Sequence, residues 1–288
     1  MSSDGETRRV ACARARVRRA PAPAKLNLAL VVGPRRADGK HEVATILQRI
    51  DLADRIELAA ADTLRVDGFP EDTLVAAALR ALAETAGVEP RWRARITKRI
   101  PVSAGLGGGS SDAATALRLA NETLPEPLPA PELAGVAAQI GADVPFFLVP
   151  GPQLASQEGT ELEPLELPQD YWIVLVLPND ARKSSTAAVY EEFDHRAAAA
   201  GFEERRAVLD ETLAAAERPR DLAALPPNDL ASSPLAAELR EHGAFRADVT
   251  GAGPVVYGLF HHRPAAESAR RALRALGRTW IAIPAWYV

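Results

Sequence analysis

The stretch PVSAGLGGGSSDAAT, residues 101–115, decides how this chain is interpreted. Four glycines leave a short loop with few side chains. The Ser-Ser-Asp that follows consists of residue types that start helices. Upstream, Trp92, Ala94 and Ile96 alternate with arginines in the pattern of a half-buried strand. Downstream, Leu117 and Ala120 recur at helical spacing. The sequence therefore predicts a strand, a glycine loop and a helix in that order.

A glycine loop that leads into a helix favours anion binding. Backbone N–H groups at a helix N-terminus lack intrahelical partners, and the helix dipole attracts negative charge there. The alternative is a flexible Gly/Ser linker, but linkers seldom separate an alternating strand from a periodic helix. A Walker loop is excluded because the segment holds no lysine, and Ser110 stands where a dinucleotide-binding loop needs glycine. We expect the polyphosphate of a nucleotide as the ligand.

Length and charge limit the possible classes of protein. At 288 residues the chain exceeds one typical domain, so two domains are expected, with a boundary at Pro150-Gly151-Pro152. The 34 basic and 38 acidic residues give a net charge of −4. Such a chain has no overall attraction to nucleic acid or to anionic membranes. We expect neither as a partner, and the sequence carries no signal for an oligomeric state.

Cysteine usage and hydropathy indicate a cytoplasmic protein. Cys12 is the only cysteine, so an intramolecular disulfide and a cysteine-based metal site are both excluded. The apolar run 171–178 is far shorter than the ~20 residues of a membrane-spanning helix and predicts a buried strand. The arginine-rich start of the chain admits a transit peptide or a nucleic-acid arm. We favour an edge strand there, because Val10, Cys12, Ala15 and Val17 lie among the arginines.

The remaining elements follow from periodicity and turn residues. Residues 13–32 predict a first strand interrupted at Pro21 and Pro23, which places Lys25 and Asn27 on one face. Further strands are predicted at 55–59, 63–66, 91–97, 171–177, 255–260 and 279–283, and further helices at 72–86, 132–139, 185–217, 234–241 and 264–276.

Three segments in chain order resemble the signature motifs of the GHMP kinases, named for galactose, homoserine, mevalonate and phosphomevalonate kinases. They are PAKLNL (23–28), PVSAGLGGGSS (101–111) and DVTGAGP (248–254). Four more, RADGKHE (36–42), GADVPFF (141–147), EGTE (158–161) and PNDL (227–230), narrow the resemblance to the branch that phosphorylates a cytidine diphosphate conjugate.

The resemblance spans nearly the whole chain and implies a two-domain α+β fold. Residues 1–150 are expected to form an ATP-binding, ribosomal-protein-S5-like N-terminal domain. Residues 151–288 are expected to form a ferredoxin-like C-terminal domain. The active site is then expected in the cleft between them.

The implied reaction transfers the γ-phosphoryl group of ATP to the tertiary 2-hydroxyl of a methylerythritol unit in non-mevalonate isoprenoid synthesis. The resemblance makes Asp143 the base that accepts the hydroxyl proton. It makes Lys25 a second catalytic residue, whose ammonium pairs with Asp143 or attracts the γ-phosphate. Without the resemblance, Asp143 would be interpreted as a turn or N-cap carboxylate and Lys25 as a solvated strand lysine.

The resemblance also assigns the ATP-binding loop and the metal. The loop residues expected to wrap the phosphates are Pro101, Val102, Ser103, Ala104, Gly105, Leu106, Gly107, Gly108, Gly109, Ser110 and Ser111. The Ser110 or Ser111 hydroxyl is expected to reach Mg²⁺, which is otherwise coordinated mainly by phosphate oxygens and water.

The substrate-binding residues implied by the resemblance are Asn27, Lys40, His41, Tyr190, Gly251 and Gly253. His41 is expected to read the cytosine edge, and Tyr190 to stack on the base. Lys40 departs from the family, which usually has tyrosine there, and is expected to lie over the base or touch the diphosphate. Gly251 and Gly253 are expected near the phosphates, the alternative being an ordinary tight turn.

Two other functions stay open on the sequence. One is a GHMP kinase with a different alcohol as acceptor. The other is a nucleotide-binding paralogue without catalysis, which would have no need of Lys25 and Asp143 facing a phosphate loop. If the chain is a kinase, with either acceptor, the expected partners are ATP and a small-molecule substrate.

Overall fold

The computed structural model describes residues 17–181, 185–196 and 199–285. The α+β prediction is confirmed, since helices pack on two sheets, one of six strands and one of four within the described residues. The part of the predicted edge strand that holds Val10, Cys12 and Ala15 lies outside the described residues. No helix in the described part of the chain has both the length and the apolarity of a membrane span.

Two long antiparallel strands form the centre of the first sheet. Strand β1 (Arg18–Arg35) continues through Pro21 and Pro23, paired with β2 (His41–Ala60), and the pairing register shifts between Pro23 and Ala24. Prolines are tolerated because β1 pairs with β2 alone within this sheet. The first half of β2 was missed because buried polar side chains, Gln48, Arg49 and Asp54, break its apolar alternation.

The remaining elements of the first half place three helices on one face of the sheet. In chain order they are β3 (Arg65–Asp67), α1 (Leu74–Thr85), β4 (Trp92–Thr97), α2 (Gly108–Asn121), α3 (Ala130–Ile140), the 3-10 helix Pro145–Leu148, β5 (Gln153–Ser156) and β6 (Glu161–Pro164). The helices bury Leu79, Leu117 and Val136 against Ile56 and Ile96 of the sheet. This core fixes the start of α2, where the glycine loop ends.

The second half builds an antiparallel sheet in the order β10-β7-β9-β8. Its elements are β7 (Trp172–Pro178), α4 (Thr186–His195), α5 (Phe202–Ala215), the 3-10 helix Pro219–Ala224, α6 (Leu235–Glu241), β8 (Arg246–Val249), β9 (Val256–Phe260), α7 (Arg263–Ala272), the 3-10 helix Leu273–Ala275 and β10 (Gly277–Ala282). Sequence patterning missed β5, β6 and β8, each only four residues long.

The change from one sheet to the other falls after the predicted boundary. Strands β5 and β6 follow Pro150-Gly151-Pro152 in sequence, yet β5 pairs with β2 of the first sheet and β6 pairs with β5. The second sheet begins with β7. The division of the chain into domains at 150 stays a prediction, while sheet membership changes between residues 164 and 172.

A shared apolar core joins the two sheets. Leu26 and Leu28 of β1 lie in one buried cluster with Ile173 of β7 and Leu259 of β9. The Tyr257 hydroxyl crosses this core and donates a 2.9 Å hydrogen bond to the Leu28 carbonyl. The turn after β8 is thereby brought against β1, which unites the first and third sequence motifs.

Candidate active site

Lys25 and Asn27 form the buried floor of the site. They alternate on β1, so their side chains lie on one face, as predicted. The Lys25 ammonium donates a 2.6 Å hydrogen bond to Asn27 Oδ1. Asn27 Nδ2 donates to the Thr45 hydroxyl at 2.8 Å, which determines the orientation of the amide. The ammonium is therefore held by a side chain that is itself fixed.

Thr250 ties the third motif to this floor. Its hydroxyl oxygen accepts the backbone N–H of Asn27 at 3.0 Å and lies 3.4 Å from the Gly105 carbonyl. A Cβ atom on Gly105, at φ +80°, would lie 2.3 Å from the Thr250 carbonyl oxygen. Only glycine allows this approach, because side chains rarely accept such a φ and space is lacking. The predicted loop and the DVTGAGP turn are thus in direct contact.

Asp143 faces Lys25 from another part of the chain. Its Oδ2 lies 3.6 Å from the Lys25 ammonium nitrogen, an ion pair longer than a hydrogen bond. The Asp143 side chain is 40% exposed whereas that of Lys25 is 6% exposed. A half-exposed carboxylate is thereby held at the cavity wall, next to a buried cation.

Buried Arg49 anchors the segment that follows Asp143. Its guanidinium donates to the Phe146 and Val149 carbonyls and lies 4.6 Å from the centre of the Phe146 ring. Burial lowers the pKa of Arg49 to about 10, so the group stays charged at neutral pH. The contacts restrain the 3-10 helix immediately after Asp143.

The glycine loop leads into α2 as predicted, but the helix begins at Gly108, ahead of the Ser-Ser-Asp segment 110–112 that was expected to start it. Gly107, at φ +67°, is the N-cap, and a Cβ there would lie 2.9 Å from Lys25 Cγ. The Ser111 N–H already bonds to the Gly107 carbonyl at 2.9 Å, which leaves the N–H groups of 108–110 at the open end of the helix. This arrangement suits an anion.

Two cavities adjoin this loop. One, of about 550 Å³, is lined by Lys25, Asp143 and other residues described below. The second, of about 420 Å³, is lined by the loop together with Phe69, Asp72 and Lys98. Ser103, Gly105, Gly107, Ser110 and Thr186 line both. The loop therefore separates an acceptor-sized space from a second space along the same segment.

Most of the predicted loop lines the second cavity. Residues 101–110 all contribute to its wall. Ser111 does not, because it is fully buried on α2, where its hydroxyl has no hydrogen-bond partner among the described residues. Ser110 stands between the two cavities.

An ionic cluster beneath the loop was missed by sequence analysis. The Lys98 ammonium donates to Asp54 and, at 2.8 Å, to Asp112 Oδ2. Burial, then the nearby Asp54 charge, raises the pKa of Asp112 to about 7 despite the Lys98 contact. Lys98 is one of only four lysines in the chain, and this rarity was the one available signal for it.

The predicted acceptor residues fall into two groups. Asn27, Tyr190, Gly251 and Gly253 line the first cavity. Burial, then the negative charge of Asp143, raises the pKa of Tyr190 to about 12, so its phenol remains neutral. Lys40 and His41 are not among the residues that line this cavity.

His41 is engaged by protein groups on two sides. Its ring stacks on Tyr190 with centroids 4.9 Å apart, and Nε2 lies 2.7 Å from Asp194 Oδ1. Since a carboxylate only accepts, Nε2 carries the proton. The hydrogen bond from His41, assisted by Arg35, holds the pKa of Asp194 below its usual value. Asp194 on α4 was not predicted from the sequence.

Family models match both halves of the chain. Residues 73–151 match the GHMP kinases N terminal domain, and residues 228–279 match the GHMP kinases C terminal domain. These ranges contain the glycine loop, Asp143 and the third motif.

Curated relatives are similar over most of their length. The chain is 41% identical over 268 residues to 4-diphosphocytidyl-2-C-methyl-D-erythritol kinase of Anaeromyxobacter sp. (strain Fw109-5), covering 88% of this chain and 85% of the relative. It is 38% identical to the kinase of that name from Geobacter sulfurreducens, covering 91% and 95%.

Solved structures agree with these relatives. A crystal structure of 4-(cytidine 5'-diphospho)-2C-methyl-D-erythritol kinase superposes with a TM-score of 0.76 at 32% identity, covering 93% of this chain and 99% of that one. A mevalonate kinase structure gives a TM-score of 0.73 at 16% identity with the same coverage, which is a likeness of fold.

Proposed function

This chain belongs to the 4-diphosphocytidyl-2-C-methyl-D-erythritol kinases within the GHMP kinase family, and on that premise we propose how its residues perform the reaction. The enzyme transfers the γ-phosphoryl group of ATP to the 2-hydroxyl of the cytidine diphosphate conjugate, a step of non-mevalonate isoprenoid synthesis. The observation that carries the proposed mechanism is the 3.6 Å Lys25–Asp143 pair, which shares one cavity with the glycine loop.

Asp143 is the general base. An alcohol is a weak nucleophile at neutral pH, so a positioned carboxylate that accepts its proton is worth ~10²–10⁴ in rate. The hydroxyl oxygen forms a bond to the γ-phosphorus while the bond to the β-phosphate oxygen breaks and ADP leaves. Asp143 suits the role because its half-exposed carboxylate reaches the cavity.

Lys25 stabilises the charge that moves during transfer. Its ammonium is buried, fixed by Asn27, and lies between Asp143 and the loop glycines. Phosphoryl transfer depends mainly on alignment and electrostatic stabilisation, and a preorganised cation supplies both. The two residues therefore bracket the acceptor oxygen.

The glycine loop holds the ATP phosphates. Its close approach to Thr250 and Lys25 leaves no room for side chains, and the free N–H groups of α2 face the open end. We assign the 420 Å³ cavity beside Phe69, Asp72 and Lys98 to the nucleoside part of ATP, because it is continuous with the loop.

Mg²⁺ fits this site through Ser110 and phosphate oxygens. Residues 17–181, 185–196 and 199–285 contain no cluster of three or more acidic, histidine or cysteine side chains that would hold a metal. An ion that keeps its waters and phosphate ligands needs few protein ligands, and the Ser110 hydroxyl stands where both cavities meet. When bound, Mg²⁺ neutralises phosphate charge.

The cytidine end is assigned to the wall formed by Tyr190 with His41 behind it. The His41–Tyr190 stack and the Asp194 contact give this wall a fixed aromatic surface. Lys40 is 62% exposed and its ammonium lies 3.7 Å from Oε1 of Glu158, which lines the cavity. We propose a cytoplasmic enzyme, as its substrates are small metabolites.

The decisive experiment is an ADP-release assay with purified protein, ATP, Mg²⁺ and the cytidine conjugate. Turnover that requires all four components is expected. Turnover only with another alcohol, such as mevalonate or homoserine, would favour a GHMP kinase of different specificity. ATP binding without turnover on any acceptor would favour the non-catalytic paralogue.

A further inference from the structure

Glu158 places a carboxylate in the wall of the 550 Å³ cavity. It lies in the turn between β5 and β6 and is held by two cations from the loop before β2. Arg36 Nη1 lies 3.0 Å from Glu158 Oε2, and Lys40 Nζ lies 3.7 Å from Oε1. Neither cation lines the cavity, so the Glu158 carboxylate is the charged group of this cluster that is exposed to the cavity.

The two oxygens of Glu158 have different surroundings. Oε2 is buried, with no hydrogen bond from any described residue. The Glu158 side chain nevertheless keeps 21% of its exposure, which belongs to its other atoms. The Lys40 contact at 3.7 Å is longer than a hydrogen bond, so Oε1 retains its capacity to accept one.

Part of the cavity wall is apolar. Leu30, Val43 and Leu230 line the same cavity and belong to one buried cluster. An ionised acceptor beside these apolar side chains discriminates between ligand groups, because an N–H or O–H group is bound there while a carbonyl oxygen is repelled.

We propose that Glu158 is a specificity-determining residue that accepts a hydrogen bond from a donor group of the acceptor substrate other than the reacting hydroxyl. Lys40 and Arg36 are its positioning residues. The inference rests on the proposed function, since that function supplies the acceptor. Because Glu158 pairs with Lys40, next to His41 of the Tyr190 wall, we assign the donor to the cytidine part of the conjugate, whose donors are the cytosine amino group and the ribose hydroxyls.

Steady-state kinetics of Glu158→Gln and Glu158→Ala test the role. We expect the KM for the cytidine conjugate to rise about 10-fold or more, as for a lost hydrogen bond to a charged group. The kcat and the KM for ATP should stay within about twofold. Glu163→Gln is the matched control, because Glu163 is an exposed carboxylate on β6 outside the cavity lining. Unchanged KM in both Glu158 variants would overturn the proposal.

A charge swap separates recognition from structure. Lys40→Glu with Glu158→Lys restores an ion pair of opposite sense but places an ammonium in the cavity wall. If Glu158 accepts a hydrogen bond from the substrate, the double variant does not recover the KM, although positions 40 and 158 again carry opposite charges. A lower melting temperature is expected, because Arg36 then faces an ammonium. Recovery of the KM in the double variant would show that the ion pair alone matters and would overturn the proposal.

Substrate analogues identify the donor. If Glu158 accepts a hydrogen bond from the cytosine amino group, Glu158→Gln should reduce the preference for the cytidine conjugate over the uridine conjugate. If Glu158 accepts a hydrogen bond from a ribose hydroxyl, Glu158→Gln should instead reduce the preference for the ribose conjugate over the 2'-deoxyribose conjugate. If neither ratio changes, Glu158 is not the specificity determinant. Calorimetric binding of the conjugate, with a non-hydrolysable ATP analogue present, tests Glu158 even if wild-type turnover fails and the proposed function is wrong.

Discussion

The Lys25 ammonium nitrogen lies 3.6 Å from Asp143 Oδ2, although 118 positions of sequence separate the two residues. One side chain is buried on β1 and the other half-exposed in the turn after α3. The pair brings a fixed cation and an accessible base to one wall of the cavity that the glycine loop also lines.

Loss of either member of this pair should abolish most of the activity. Asp143→Asn and Lys25→Met should each lower kcat by ~10²–10⁴ while the far-UV circular dichroism spectrum stays native. The double variant should lose little more than the worse single one, because residues that act as a unit are not additive. Near-normal kcat in both single variants, measured by ADP release, would refute the mechanism.

Asn27 should act through Lys25. In Asn27→Leu the Lys25 ammonium loses its 2.6 Å acceptor, and the Thr45 hydroxyl loses the hydrogen bond that Asn27 Nδ2 donates to it. We expect kcat to fall at least about tenfold, the equivalent of one charged hydrogen bond, with the KM for ATP nearly unchanged. A variant that raises the KM for ATP and leaves kcat intact would instead mean that Asn27 serves nucleotide binding.

Gly105→Ala should distort the phosphate loop. The new Cβ would meet the Thr250 carbonyl, and the left-handed φ alone costs about 1–2 kcal/mol. The free energy of unfolding should fall by at least that amount and the KM for ATP should rise. Gly135→Ala is the control, since Gly135 lies inside α3 with nothing near its Cβ position and should gain up to about 1 kcal/mol. Equal behaviour of the two variants in urea titrations would contradict this account.

Asp112 should make stability depend on pH. Its pKa in the folded state, about 7, lies above the ordinary value, so the folded state binds the extra proton between pH 5 and 7. The unfolding free energy should therefore decrease as pH rises through this range, by up to ~1.4 kcal/mol per pH unit for one proton. Asp112→Asn should flatten the dependence. Parallel curves for wild type and variant would remove Asp112 as the cause.

His41 should support cytidine recognition through the Tyr190 wall. His41→Ala removes the ring that stacks on Tyr190 at 4.9 Å and frees Asp194. We expect a higher KM for the cytidine conjugate and a weaker preference over its uridine analogue. Asp194→Asn should produce a smaller change in the same direction. If His41→Ala alters neither quantity, the role in base recognition fails.

Local elements were the most predictable part of the fold. Helices α1 and α2 begin within two residues of the sequence-based position or at the loop glycine itself. Their signals are local, because glycine, capping residues and apolar spacing act within one or two turns. Strand β2 was only partly recognised, since buried Gln48, Arg49 and Asp54 are satisfied by partners that no local pattern reveals.

The residues of the candidate site likewise divide into those that sequence motifs predicted and those that only the packing of distant segments brought together. The motifs were sufficient to name Lys25, Asp143 and the glycine loop. Thr45 carried no signal, and Thr250 and Glu158 lay in recognised motifs without an assigned role. Thr250 reaches the Asn27 N–H across 223 positions, a contact that exists only because both sheets pack on one core.

By itself the sequence determined which candidate groups for phosphate binding and proton transfer the chain offers, because a side-chain-free loop before a helix is a local property. The tertiary structure alone decided which of these groups meet. It brought Asp143 to Lys25, left Lys40 and His41 outside the cavity lining, and placed Glu158 in that lining. Such contacts arise from long-range packing of buried apolar surface, whose partners cannot be read from neighbours along the chain.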